Sequence, residues 1–174
     1  GVEAALAEHG VEVDEDELAE VVDRVKSIGA RGRRVTDADL LAIAESVSGT
    51  ERARRVELAD LTALSGGTTP TASVRLVVDG EERVDSGTGS GPVDAALNAV
   101  SGALGDVVFS LDSYHVDAIT GGTDAVVTVE VGLSRGDRSV TVAASDADIT
   151  RASVQAMVDA LDRLLPAEAD PADD

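Results

Sequence analysis

The stretch Gly87-Thr88-Gly89-Ser90-Gly91-Pro92, with Asp94 just beyond it, combines residue types that could do chemistry. Glycines let a backbone approach a ligand closely. Pro92 suits the first position of a helix. The backbone N–H groups of a helix start favour a carboxylate, and Asp94 in the first turn could offset an ammonium group. Together they suit the two ends of a free amino acid. Two plainer readings stay open: a loop turning tightly into a helix, and an acid that complements the helix dipole. A nucleotide loop is excluded, because the Walker lysine and the G-x-G-x-x-G spacing are both missing. Tyr114 is the second candidate. With Phe109 it makes up the chain's aromatic content, and it supplies both bulk and a hydroxyl. It can fill a core gap or line an apolar pocket beside Leu111 and Ala118. His115 and Asp117 share a strand face, but two ligands are too few for a metal, and only His9 could join them. No signature places a base beside a nucleophile.

These residues sit in a chain whose second half is written twice. Ala63-Leu64-Ser65-Gly66-Gly67-Thr68 returns 55 residues later as Ala118-Ile119-Thr120-Gly121-Gly122-Thr123. That period fits one small supersecondary unit. From Val56 the apolar period is two. Val56–Leu64 reads as a strand, Ala72–Asp79 as the next, and Asp79-Gly80 as a hairpin turn into Glu82–Ser86. After a loop from Gly87 to Gly91 comes a helix with Val93, Leu97 and Val100 as its buried face. The second copy reads Val107–Ile119, Ala125–Leu133, a turn at Arg135-Gly136-Asp137, and Ser139–Ala144. Asp148 then caps a last helix carrying Ile149, Ala152, Ala156, Met157, Ala160, Leu161 and Leu164.

Residues 1–49 read as helical. Asp14 with Glu17 forms a capping box before Leu18, Val21, Val22 and Val25. Thr36 caps a helix with Leu40, Ile43, Ala44 and Val47. The expected organisation is a helical linker over 1–49, a domain over 50–165 and an acidic disordered tail over 166–174. The domain divides into two β-β-β-α units, about 50–105 and 106–165. The fold class is α+β, with each antiparallel sheet covered by one helix. Because Gly1 is not a natural start, the chain is expected to be a fragment.

Composition bounds the setting. The net charge is −20, from 34 acidic and 14 basic residues, and Lys26 is the one lysine. Such a field repels nucleic-acid phosphate and anionic lipid, so neither is an expected partner. Scattered acid with so little lysine fits a protein kept soluble in concentrated salt. The expected location is the cytoplasm of a salt-adapted organism, the alternative being a surface for a basic partner. The absence of cysteine excludes disulfides and thiolate metal sites. No apolar run reaches the length of a membrane span.

Gly89-Ser90-Gly91-Pro92-Val93-Asp94-Ala95 resembles the G-x-G-P-V-D-A stretch of the C-terminal regulatory domain of 2-isopropylmalate synthases and their relatives, the citramalate synthases. Leu111-x-x-Tyr114 and Ala118–Ala125 are similar to that domain's second unit. Asp148-Ile149, Ala152-Ser153 and Ala160-Leu161-Asp162 are similar to its last helix. Val25-Lys26 and Val35–Leu40 resemble the helical segment that joins it to the catalytic barrel. The chain departs from the pattern at Val142-Ala143-Ala144-Ser145, where the family often carries glycines, and at Asp162, where it has Asn. The resemblance implies a homodimerising domain that binds leucine or isoleucine and thereby inhibits a barrel condensing acetyl-CoA with a 2-oxoacid. It implies that Val93, Asp94, Leu111, Tyr114 and Ala118 contact the effector. It also implies that catalytic and metal-binding residues, the divalent metal and acetyl-CoA belong to the parent transferase, so this chain is inactive alone and holds no cofactor. Leucine biosynthesis is the leading expectation. Isoleucine sensing on a citramalate synthase, or dimerisation without an effector, are the alternatives.

Overall fold

The computed structural model describes residues 1–67, 69–119 and 125–165. Thr68, Thr120–Thr123 of the repeated hexapeptide and the expected tail at 166–174 lie outside the described residues. The chain divides into two compact units, Gly1–Ala53 and the remainder from Arg54.

The first unit holds α1 (Val2–Glu8), α2 (Glu15–Ala30) and α3 (Asp37–Ser48). Both expected caps form. Asp14 accepts from the Glu17 N–H at 2.8 Å while Glu17 accepts from the Asp14 N–H at 2.9 Å. Thr36 and Asp39 repeat the arrangement at the start of α3. Each box satisfies N–H groups that the helix itself cannot. Gly49 closes α3 in the left-handed conformation, with φ 70°. The apolar stripes meet around Leu6, Val21, Leu40 and Ala44, with Leu18, Val25, Ile43 and Val47 packed beside them.

The second unit contains β1 (Val56–Leu64), β2 (Thr71–Val78), β3 (Glu81–Thr88) and α4 (Pro92–Leu104). It then repeats the order as β4 (Ser110–Ile119), β5 (Val126–Arg135), β6 (Arg138–Asp146) and α5 (Ile149–Leu164). The strands form two three-stranded antiparallel sheets, β1-β2-β3 and β4-β5-β6. Alternation sets the buried faces: Ala72, Val74, Leu76 and Val78 in β2, and Val129, Val131 and Leu133 in β5. α4 covers β2 and β3, α5 covers β5 and β6, and α5 also touches β1 and α4. The duplication extends to detail. Both first strands carry a bulge, at Ala59 and at Asp112. Arg83 in β3 and Arg138 in β6, 55 residues apart in the sequence, each donate to last-turn carbonyls of the helix that follows. Helix C-termini favour such cations.

Several strand ends shift by a residue or two from the expectation, and three differences matter for the site. β3 continues through Gly87 and Thr88, because Ala72 and Thr71 at the start of β2 supply their pairing partners. β4 starts at Ser110 rather than Val107. The buried face of α4 is Ala95, Ala96, Ala99, Val100, Ala103 and Leu104, whereas Val93 and Leu97 are half-buried. The cause is close packing on β3: a Cβ at Gly87 would stand 2.8 Å from the Ala99 nitrogen and 2.9 Å from the Ala95 oxygen. Only small side chains fit on the face pressed that tightly to the sheet, which leaves Val93 and Leu97 towards its margin. No helix among the described residues is long and apolar enough to cross a membrane.

Candidate functional site

The start of α4 is built to stay open. Its N-cap is Gly91, which offers no side-chain acceptor. Pro92 has no N–H, and the Ala95 N–H is used by the Gly91 carbonyl. The N–H groups of Val93 and Asp94 are therefore the helix-start donors without an intrahelical acceptor. Asp94 is exposed, and its Oδ2 accepts from the Ser90 N–H at 2.9 Å. That bond holds the loop against the helix and leaves Oδ1 for another partner. Asn98 fastens the same loop by donating to the Thr88 carbonyl at 2.8 Å.

Opposite lies β4, an edge strand of the second sheet. Leu111 is 44% exposed. Tyr114 is half-buried, and its hydroxyl is 2.6 Å from Ser153 Oγ of α5. Ser153 donates its own proton to the Ile149 carbonyl at 2.7 Å. Tyr114 must therefore be the donor in their shared bond. Its ring serves as a wall while its hydroxyl anchors α5, so both roles open for this residue are combined.

Between these elements is a largely apolar cleft of about 470 Å³, lined by Pro92, Val93, Asp94, Leu97, Leu111 and Tyr114 with the Ser90-Gly91 backbone. Four of the five expected effector residues thus stand around one cavity. Ala118, the fifth, lies four residues further along β4 opposite Val127, and its side chain lies outside the described part. Leu97, expected in the core, and Ser90, expected in the loop, join those four in the lining. Ser153 was missed as Tyr114's partner. The available signal was a serine between the buried Ala152 and Val154, where a hydroxyl must find an acceptor.

His115 and Asp117 are exposed, and face Glu130 and Thr128 across the ladder. His9 stands 3.8 Å from Asp37. No three potential ligands come together among the described residues.

The model of the LeuA allosteric (dimerisation) domain matches residues 34–165. The chain belongs to this family. LeuA-type domains are the regulatory part of a family of synthases, and the relatives reflect that. A protein named "putative (R)-citramalate synthase CimA" from Methanothermobacter thermautotrophicus is 47% identical over 94% of this chain and 33% of its own length. One of the same name from Methanosphaerula palustris is 48% identical, with the same coverage. A 2-isopropylmalate synthase from Methanocaldococcus jannaschii is 43% identical, again over 94% of this chain and 33% of its own. This LeuA-type chain therefore spans about a third of the length of the curated relatives it matches.

Proposed function

We propose that this chain is the feedback-sensing and dimerising part of a synthase that condenses acetyl-CoA with a 2-oxoacid, and that the cleft between α4 and β4 binds a branched-chain amino acid. The cleft is the observation that carries the reading. Its wall of Pro92, Val93, Leu97 and Leu111 suits an aliphatic side chain. The Val93 and Asp94 N–H groups suit a carboxylate at a helix N-terminus, and the Asp94 carboxylate suits an ammonium group. Ala118 extends the proposed contact set along β4. Leucine and isoleucine differ in methyl placement, a packing difference of about 1–3 kcal/mol. Two of the three relatives named above carry the citramalate name, which favours isoleucine over the leucine expected first.

Inhibition at a distance requires the effector to prefer one arrangement of the assembly. Residues 1–49 are the proposed transmitter. Calorimetry on the chain in concentrated KCl tests the reading: isoleucine or leucine gives saturable heat, and valine gives less. Silence with all three would sink it. The exposed Leu111 and Val116 on edge strand β4 favour a second reading, a dimer surface alone. That reading predicts a stable dimer whose melting temperature no amino acid changes.

A further inference from the structure

We infer that a second ligand site of inverted charge lies at the start of α5, and that it takes a small hydroxycarboxylate. The cleft described above joins the helix start of one β-β-β-α half to the first strand of the other. The same construction recurs with the halves exchanged. The start of α5 meets β1 around a cleft of about 300 Å³, lined by Leu61, Ala63, Ser65, Asp148, Thr150 and Arg151, with Pro92 standing between it and the first cleft and lining both. That volume lies at the lower end of ligand cavities.

Counted from the N-caps Gly91 and Asp148, Arg151 holds the position in α5 that Asp94 holds in α4. A carboxylate in the first cleft is matched by a guanidinium in the second. Asp148 is already committed as a cap, its Oδ1 accepting from the Thr150 N–H at 2.7 Å and the Arg151 N–H at 3.2 Å. Two of the N–H groups of the helix start are therefore already taken, which leaves the side chains as the main groups for a ligand. Thr150 is 7% exposed, and its hydroxyl has no hydrogen-bond partner among the described residues. Among the described residues every fully enclosed side-chain polar atom is partnered, so this hydroxyl must open to the cleft that Thr150 lines. A polar group so buried costs stability unless something bonds it. The Arg151 guanidinium pairs with no carboxylate among the described residues.

An Arg fork recognises a carboxylate by two parallel bonds. The Thr150 and Ser65 hydroxyls can donate to, or accept from, a hydroxyl beside it. Leu61, Ala63 and Pro92 offer little apolar wall beside the polar groups, so a branched aliphatic side chain is disfavoured here. The site stands whatever occupies the first cleft.

Titration of the uniformly ¹⁵N-labelled chain with lactate, at constant ionic strength in KCl, tests the inference. Lactate should shift the amides of Ser65, Thr150 and Arg151 saturably and leave Leu97, Leu111 and Tyr114, which line the first cleft alone, unmoved. Arg151→Ala, at an exposed position, should weaken this binding about tenfold. Thr150→Val should weaken it about threefold. The inference is overturned by three results: no saturable shift up to about 50 mM, an equal response to chloride, which would mark an adventitious ion only, or insensitivity to Arg151→Ala. Isoleucine and leucine titrated into the same sample report on the first cleft through Leu97, Leu111 and Tyr114, which do not line the second, so either site can fail alone.

Discussion

Asp94 lines the cleft, is exposed, and has one carboxylate oxygen on the Ser90 N–H, so its replacement tests binding more than folding. Asp94→Asn keeps an acceptor for Ser90 and removes the charge. An exposed ion pair contributes at most about 1 kcal/mol, so amino-acid affinity should fall about fivefold with the melting temperature nearly unchanged. Calorimetry and thermal melts together check both halves of that statement. Asp162 is the opposite case. It is 7% exposed, and its Oδ1 accepts from the backbone N–H of Arg55 at 2.6 Å and of fully buried Val56 at 3.0 Å. It thereby ties the start of β1 to α5, in the half that β1 does not belong to. Asp162→Ala would leave those donors unpaired and should destabilise the unit by about 3 kcal/mol in denaturant melts. Asp162→Asn retains an acceptor and should cost about 1 kcal/mol. Equal losses for the two variants would show that charge, not donor satisfaction, is what matters there.

At the scale of elements, the contact between β3 and α4 depends on the absence of a side chain at Gly87. A Cβ there meets helix backbone at 2.8 and 2.9 Å, and backbone cannot rotate away. Gly87→Ala should therefore destabilise by about 2 kcal/mol, and should move the α4 amide resonances together because the whole helix must lift. The β2–β3 turn carries a pH-dependent tie. Asp79, with φ 52°, accepts two parallel bonds from Arg55, at 2.7 and 2.8 Å. The Arg55 hydrogen bonds hold its carboxyl below the usual carboxylate range. A lowered folded value means stability present above the unfolded pKa, about 3.9, and lost as pH falls through the folded one. Asp79→Asn tolerates the same backbone, so wild type should melt above this variant at pH 6, and the gap should close below about pH 4. Much of this architecture was legible beforehand. Period-two alternation, the capping boxes, Pro92, the Asp148 cap and Asp79-Gly80 report on neighbours close in sequence, and they located the six strands, α2, α3, α4 and α5 to within a few residues. The buried face of α4 was not legible, because it depends on a glycine in another element. The cleft was legible only in part. Val93, Asp94, Leu111 and Tyr114 could be named, but the Tyr114–Ser153 bond spans 39 residues and no local pattern encodes it.

At the scale of the whole molecule, 34 acidic residues face 14 basic ones, so most carboxylates have no cation to pair with. Ion pairs such as Arg54–Asp159, Arg55–Asp79 and Arg75–Glu82 are local exceptions. Added salt weakens those pairs but also screens the far more numerous repulsions. Folding draws like charges together, so the folded state gains more from screening than the expanded chain does. The Debye length falls from about 10 Å at 0.1 M to about 3 Å at 1 M, shorter than most spacings between surface charges. Melting temperature should therefore rise with KCl by about 10 °C, equivalent to roughly 3 kcal/mol for a chain of this size, and most of the rise should come below about 1 M. Circular dichroism melts across a KCl series check it. Because the chain divides into two compact units, each transition should be followed separately. A flat or falling melting temperature would mean that the local pairs outweigh the global repulsion, and the acidic surface would then need a basic partner rather than concentrated salt to explain it.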